Sequence, residues 1–189
     1  MRIGLLGGTF NPIHHAHLML AECAMEQLAL DQVWFTPTAT PPHKRSRGLA
    51  PERARLAMVR LAVKGHPGFR ASDLEIRRGG VSYSLETVWA IHRQHPRARL
   101  FFLIGSDMLH VPWRGRALLR RLCTFATAMR PSGGSARAWR GVVTIKMPQM
   151  DISSTAIRAR IRRGDSVRYL VPEPVRRYLV RHRLYPGGS

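Results

Sequence analysis

Two histidines three positions apart, His14 and His17, close the segment G-G-T-F-N-P-I-H-H-A-H that runs from Gly7 to His17. Gly7 and Gly8 permit close backbone approach to a ligand, and a helix start just beyond them offers unpaired amides to an anion. Residues three apart at a helix start share one face. Two imidazoles there can donate hydrogen bonds to phosphate oxygens, and phosphoryl or nucleotidyl transfer asks for little else: charge stabilised on oxygens, with almost no covalent chemistry from the protein. The segment is neither a Walker A loop, whose lysine it lacks, nor a G-x-G-x-x-G fingerprint. Zinc ligation by His14 and His17 is an alternative, although no third ligand is near in sequence. Simple capping of a helix is another.

A second group lies near the other end, D-I-S-S-T-A-I-R from Asp151 to Arg158. Ser153, Ser154 and Thr155 stand where a helix begins, and their hydroxyls and amides form another anion cradle. Arg158 is one turn further along and can meet a phosphate with its fork of donors. Taken alone, the group reads equally as a good N-cap followed by a surface arginine. Two anion-binding helix starts at opposite ends of one chain suit a triphosphate held between them.

The elements that must position these groups alternate. Arg2–Leu6 and Val33–Pro37 read as short buried strands, and Arg99–Ile104, R-L-F-F-L-I, as a central parallel strand covered on both faces. Residues 69–76 read as extended; Thr124–Met129 and Val142–Met147 are further strand candidates. Helices are expected over His15–Leu30, Arg53–Val63 with Pro51 in the first turn, Ser84–His95, Ser153–Arg163 and Pro174–Arg183. Thr38–Leu49 and Arg130–Gly141 read as loops. Strand and helix alternate, so the expected architecture is α/β, a Rossmann-like doubly wound parallel sheet with helices on both faces. In such a sheet, ligands bind outside the carboxyl ends of the strands, where the glycine segment falls. A single domain over 1–185 is expected, with the helices of 153–185 as a small subdomain and 186–189 as a disordered tail.

Length and composition agree. A chain of 189 residues with 44% hydrophobic content can bury a core without staples. Cys23 and Cys123 stand far apart and in no metal or redox spacing, which excludes a disulfide scaffold and favours a reducing compartment. No apolar run reaches membrane-helix length and the N-terminus is not a signal peptide, so the expectation is a cytoplasmic protein without a membrane partner. The net charge is +20; apart from Lys44, Lys64 and Lys146, every basic residue among the 31 is arginine. Such an excess attracts polyanions. A nucleic-acid-binding protein would interleave arginines with aromatics on one face, whereas here the aromatics fall mainly in expected strands; only weak, nonspecific nucleic-acid binding is expected.

The two groups together resemble the nucleotidyltransferase superfamily, G-G-T-F-N-P-I-H-H-A-H matching its (H/T)-x-G-H segment and I-S-S-T-A-I-R its I-S-S-T-x-I-R segment. P-T-A-T-P-P-H-K (Pro37–Lys44), G-G-V-S-Y-S-L-E-T (Gly79–Thr87), I-G-S-D (Ile104–Asp107), Trp113 and L-V-P-E-P-V-R-R-Y-L (Leu170–Leu179) narrow the resemblance, over nearly the whole chain, to the bacterial nicotinate-nucleotide adenylyltransferases. The resemblance implies transfer of the adenylyl group of ATP to nicotinate mononucleotide, with release of pyrophosphate, and Mg²⁺ carried mainly by ATP with no protein metal ligand. It implies catalytic roles for His14, His17, Lys44 and Arg158. The ATP site would comprise Gly7, Gly8, Thr9, Phe10, His14, His17, Gly105, Asp107, Ile152, Ser153, Ser154 and Arg158, with Asp107 on the ribose and His17 at the α-phosphate. Lys44, Tyr83, Ser84 and Trp113 would hold nicotinate mononucleotide, Trp113 stacking on its ring. An acceptor such as nicotinamide mononucleotide or phosphopantetheine is the alternative within the superfamily, and a homo-oligomer is left open. The chain departs from the family pattern at Ala16, where the motif has glycine, at Thr40, where many members have asparagine, at Ser84, where threonine is commoner, and in a shorter Pro131–Gly141 region.

Overall fold

Ile3 to Leu6 are uncharged and buried, and they run through the middle of strand β1 (Arg2–Gly8). A strand so completely apolar must be covered on both faces, which places it at the centre of a parallel sheet. The computed structural model describes residues 1–41, 48–105, 108, 111–128 and 141–186. Strand β1 lies between β2 (Gln32–Pro37) and β4 (Arg99–Ile104), and β3 (Phe69–Ala71), β5 (Cys123–Ala128) and β6 (Val143–Ile145) complete a six-stranded sheet of order β3-β2-β1-β4-β5-β6. Every pairing is parallel. The order reverses between β1 and β4, and a doubly wound sheet opens a ligand crevice at that reversal.

Successive side chains of a strand point to opposite faces. Leu6, Phe101 and Leu103 accordingly enter one core layer with Leu20, Ala21, Val59, Ile157 and Val175. Ile3, Leu5, Leu100 and Phe102 enter the other with Val88, Ile91 and Leu119. The first layer is roofed by α1 (His15–Gln27), α2 (Glu52–Val63), α6 (Ser154–Arg162) and α7 (Glu173–Arg181); the second by α4 (Ser84–Gln94) and α5 (Arg116–Leu122). The helices α6 and α7 thus contribute Ile157, Val175 and Leu179 to the same core as α1 and α2.

Three elements differ from the sequence expectation. Extended structure from Phe69 stops at Ala71, and Leu74–Arg78 form a short helix, α3. Its acidic Glu75 at the start and Arg77 and Arg78 at the end complement the helix dipole, a signal hidden by the strand-like alternation of Leu74 and Ile76. Helix α5 has no counterpart among the expected elements; it begins directly after Gly115, which takes the left-handed conformation at φ 68° and sets the chain into the helix. Pro51 is the residue before α2 and not within its first turn. The expected loop over 130–140, the end of β5 at Met129 and the tail beyond Pro186 fall outside the described residues. Among the described residues, no helix is long and apolar enough to cross a membrane.

Candidate active site

The glycine segment leaves β1 at its carboxyl end. Gly8 O accepts from Thr38 N at 3.0 Å, which ties the loop after β1 to the loop after β2. A Cβ on Gly8 would stand 3.2 Å from the Phe10 ring, so the loop folds tightly over that side chain. Phe10 is 2% exposed and packs edge-on against His17, with ring centroids 5.0 Å apart. Its ring therefore belongs to the core, and only its backbone can face a nucleotide. Thr9 and Gly8 are half-buried and Gly7 is exposed.

His14 is the residue before α1 and His17 lies in its first turn. Their rings stack at 3.8 Å. The His14 amide donates to Nδ1 of His17 at 3.2 Å, which sets the neutral His17 tautomer with its proton on Nε2. His14 is buried; desolvation, helped by the neighbouring His15, pushes its pKa down to about 4. It is a neutral imidazole at pH 7, and its Nδ1 is buried without a hydrogen-bond partner among the described residues. An orphaned buried nitrogen needs a partner, and a phosphate oxygen or its water would supply one. Among the described residues, no group of three His, Cys, Asp or Glu is placed to hold a metal.

The serine-rich segment meets this loop across the whole length of the chain. Ser154 Oγ donates to Pro12 O at 2.8 Å, and Arg158 Nη1 donates to Asn11 O at 2.8 Å. Arg158 also donates to Thr155 Oγ1 at 3.3 Å, while its Nε is buried and without a partner among the described residues. Burial pulls the Arg158 pKa down, yet a guanidinium stays charged at any ordinary pH. Ser153 is the N-cap of α6 and accepts from Ala156 N at 3.1 Å. The capping reading holds for Ser153, while the Ser154 hydroxyl anchors the glycine loop through Pro12 O. Ile152 is half-buried and packs against the core beneath them.

A third cluster lies at the start of α4. Tyr83 precedes the helix and Ser84 is its first residue, both half-buried. The preceding loop is fastened to the loop after β2: Ser82 N donates to Thr40 O at 2.9 Å, Thr40 N to Gly80 O at 3.3 Å, and Ser82 Oγ accepts from Ala39 N at 2.9 Å. Thr40 takes part through its backbone, so threonine in place of asparagine leaves this fastening intact. Half-buried Trp113 donates from Nε1 to Met108 O at 2.9 Å and stands edge-on to Phe102 and Phe125. Gly105 is half-buried at the end of β4, where its carbonyl accepts from Met108 N at 3.0 Å. Lys44 and Asp107 lie outside the described residues.

Relatives of this chain are numerous. A probable nicotinate-nucleotide adenylyltransferase of Synechococcus sp. (strain JA-3-3Ab) is 44% identical over 195 residues, covering 97% of this chain and 94% of that protein. One of Salinibacter ruber is 43% identical, with 98% of each chain covered. The chain belongs to the nicotinate-nucleotide adenylyltransferase family. The wider cytidylyltransferase-like family matches residues 5–160. The fold is shared with a Plasmodium falciparum nicotinic acid mononucleotide adenylyltransferase complexed with NaAD, at TM-score 0.81 and 17% identity over 97% of both chains. In this family setting, Ala16 falls in the first turn of α1, a helical backbone that alanine adopts without strain.

Three residues hold the site together by contacts that the sequence does not assign to them, Asn11 even though it lies within the glycine segment. Asn11 Nδ2 donates to Gly48 O at 3.0 Å, and its Oδ1 accepts from Ala50 N at 3.0 Å and from the Tyr185 hydroxyl at 2.6 Å. Arg55 is 1% exposed and donates to three carbonyls, Ala50 at 3.0 Å, Thr9 at 2.9 Å and Ala39 at 2.9 Å. It joins the loops after β1 and β2 to the start of α2. A signal for it existed: Arg55 shares the apolar stripe of Val59 and Val63, an odd place for an unpaired charge. Tyr185 carries no such signal, because its partner is 174 positions away.

Proposed function

We propose that this chain transfers the adenylyl group of ATP to nicotinate mononucleotide, forming nicotinate adenine dinucleotide and pyrophosphate. One observation carries the reading. The starts of α1 and α6 are fastened to each other through Asn11 and Pro12, at the carboxyl edge of the sheet beside its point of reversal. Two helix starts, an arginine and two histidines there form a cradle for a polyphosphate. The acceptor's phosphate is already an anion at neutral pH, so attack on the α-phosphorus needs no general base. Catalysis is then alignment and stabilisation of charge on the oxygens leaving with pyrophosphate.

Within this reading, His17 donates from Nε2–H to the α-phosphate, and neutral His14 supplies a hydrogen bond without adding charge. Arg158 supplies the fixed positive charge toward the β- and γ-phosphates, with the α6 amides beside it. Gly7, Gly8 and Thr9 bring backbone close to the nucleotide. Lys44 is assigned to the phosphates and Asp107 to the ribose. Tyr83, Ser84 and Trp113 receive the pyridine ring and its carboxylate. Mg²⁺ is assigned to the ATP complex as substrate, held by the polyphosphate oxygens. The buried free thiols Cys23 and Cys123 fit a reducing cytoplasm.

The test is pyrophosphate release with ATP and Mg²⁺, with nicotinate mononucleotide compared against nicotinamide mononucleotide. Strong preference for the acid is the expected result. Equal or reversed preference would overturn the acceptor assignment, and no release with either would overturn the transferase reading.

A further inference from the structure

The loop after Trp113 holds a cation whose place the phosphate chemistry does not explain. Trp113 is fixed by its bond to Met108 and by Phe102 and Phe125. Two residues on, Gly115 turns so closely against the first turn of α4 that a Cβ there would stand 2.5 Å from Leu85 Cδ2. Between these two fixed points Arg114 is exposed, and its guanidinium carbon lies 4.7 Å over the centre of the Tyr83 ring. Among the described residues no carboxylate pairs with Arg114, although Arg77, Arg78, Arg163, Arg176 and Arg177 each have one. The aromatic face holds the cation in place without neutralising it.

We infer that Arg114 is a specificity-determining residue for the acceptor, its guanidinium selecting a carboxylate on the pyridine ring over the carboxamide. The inference rests on the proposed assignment of the acceptor to Tyr83, Ser84 and Trp113. Two sources of positive potential converge where α4 begins. One is Arg114 over Tyr83. The other is the helix start itself, whose first amides have no acceptor within the helix. A carboxylate gains from both, and a neutral amide of the same shape gains little, so the pair discriminates by charge at nearly equal size. The acceptor's phosphate is a second anion that Arg114 could meet, but it is common to the acid and the amide. Comparing the two therefore separates the sources.

The experiment measures kcat/KM for nicotinate and nicotinamide mononucleotide in the wild type, Arg114→Gln and Arg114→Lys, with melting temperatures as a check on folding. Arg114→Gln should lower the acid-to-amide ratio about tenfold, the worth of one charge-assisted hydrogen bond, mostly through KM for the acid. Arg114→Lys should restore a large part of that ratio. An equal loss for both acceptors would overturn the inference and assign Arg114 to the phosphate, or to the shape of the loop. An unaltered ratio would overturn it as well. A wild type without preference for the acid is a different failure, that of the acceptor assignment beneath it.

Discussion

Replacing Arg55 by methionine isolates what this buried cation does. The side chain keeps most of its apolar stem but loses the Nε, Nη1 and Nη2 bonds to Ala50, Thr9 and Ala39. Each is a bond from a charged donor, worth about 1.5–3 kcal/mol. The sum overstates the net effect, because the desolvation cost of the charge disappears with it: burial alone drives the Arg55 pKa down. What remains is three carbonyls in a buried setting without their donors. The expected loss is about 3–5 kcal/mol, as for breaking a buried charged contact on one side. For a chain of this size that lowers Tm by about 6–20 °C. Arg55→Lys keeps the charge, but an ammonium cannot span three carbonyls arranged around a planar fork, and it should fall between the two. Differential scanning calorimetry, with KM for ATP measured below the transition, is the assay. A Tm within about 2 °C of wild type for Arg55→Met would refute the reasoning, since water would then satisfy those carbonyls as well as the guanidinium does.

Three further outcomes follow from the same geometry. His17→Ala should lower kcat by about 10²–10³ with a smaller effect on KM, the size of losing one donor at the reacting phosphate; an unchanged kcat in steady-state assays removes His17 from catalysis. His14 is neutral when folded, its pKa pushed down to about 4 from the ordinary 6.5, so the unfolded chain takes up its proton first as pH falls. That contribution to stability is complete above about pH 6.5 and is lost as pH falls toward about 4, by up to about 3 kcal/mol, so denaturant midpoints should fall over that window more steeply in wild type than in His14→Gln. Tyr185→Phe removes the bond to Asn11 and should destabilise the protein by about 1–1.5 kcal/mol in urea titrations, with a raised KM for ATP; wild-type values for both would show that Asn11 is held well enough by Gly48 and Ala50.

Much of this architecture is readable along the chain because its signals are local. The uninterrupted apolar run of β4 and the glycines after β1 each state their place within a few residues, and so does the serine N-cap of α6. The doubly wound parallel sheet and its ligand edge follow from them. The elements missed are those where local signals conflict. Leu74 and Ile76 alternate like a strand while the charges around them favour a helix, and packing against Thr87, whose hydroxyl donates to Glu75 at 2.7 Å, decides for the helix. Helix α5, R-A-L-L-R-R-L, is short, and its start depends on one left-handed glycine. In the site, the residues assigned to ligand announce themselves by type, whereas those that shape it do so only by contact. Asn11 lies inside a motif and looks like a turn residue, yet it joins three distant segments. No spacing rule reaches from position 11 to 185.

That last contact orders events in time. A chain emerging from the ribosome releases the six strands by Ile145, while one core layer still lacks Ile157, Val175 and Leu179. The loop assigned to phosphate is by then more than a hundred residues old, and still lacks half its fastenings. Ser154 and Arg158 arrive next, then the Leu170 carbonyl that accepts from His15 N at 3.1 Å, and finally Tyr185 on Asn11. The cradle proposed for the nucleotide is completed only after the sheet strands have been made. A chain interrupted after β6 would thus carry the six strands, but neither the later fastenings of the loop assigned to phosphate nor the core residues Ile157, Val175 and Leu179.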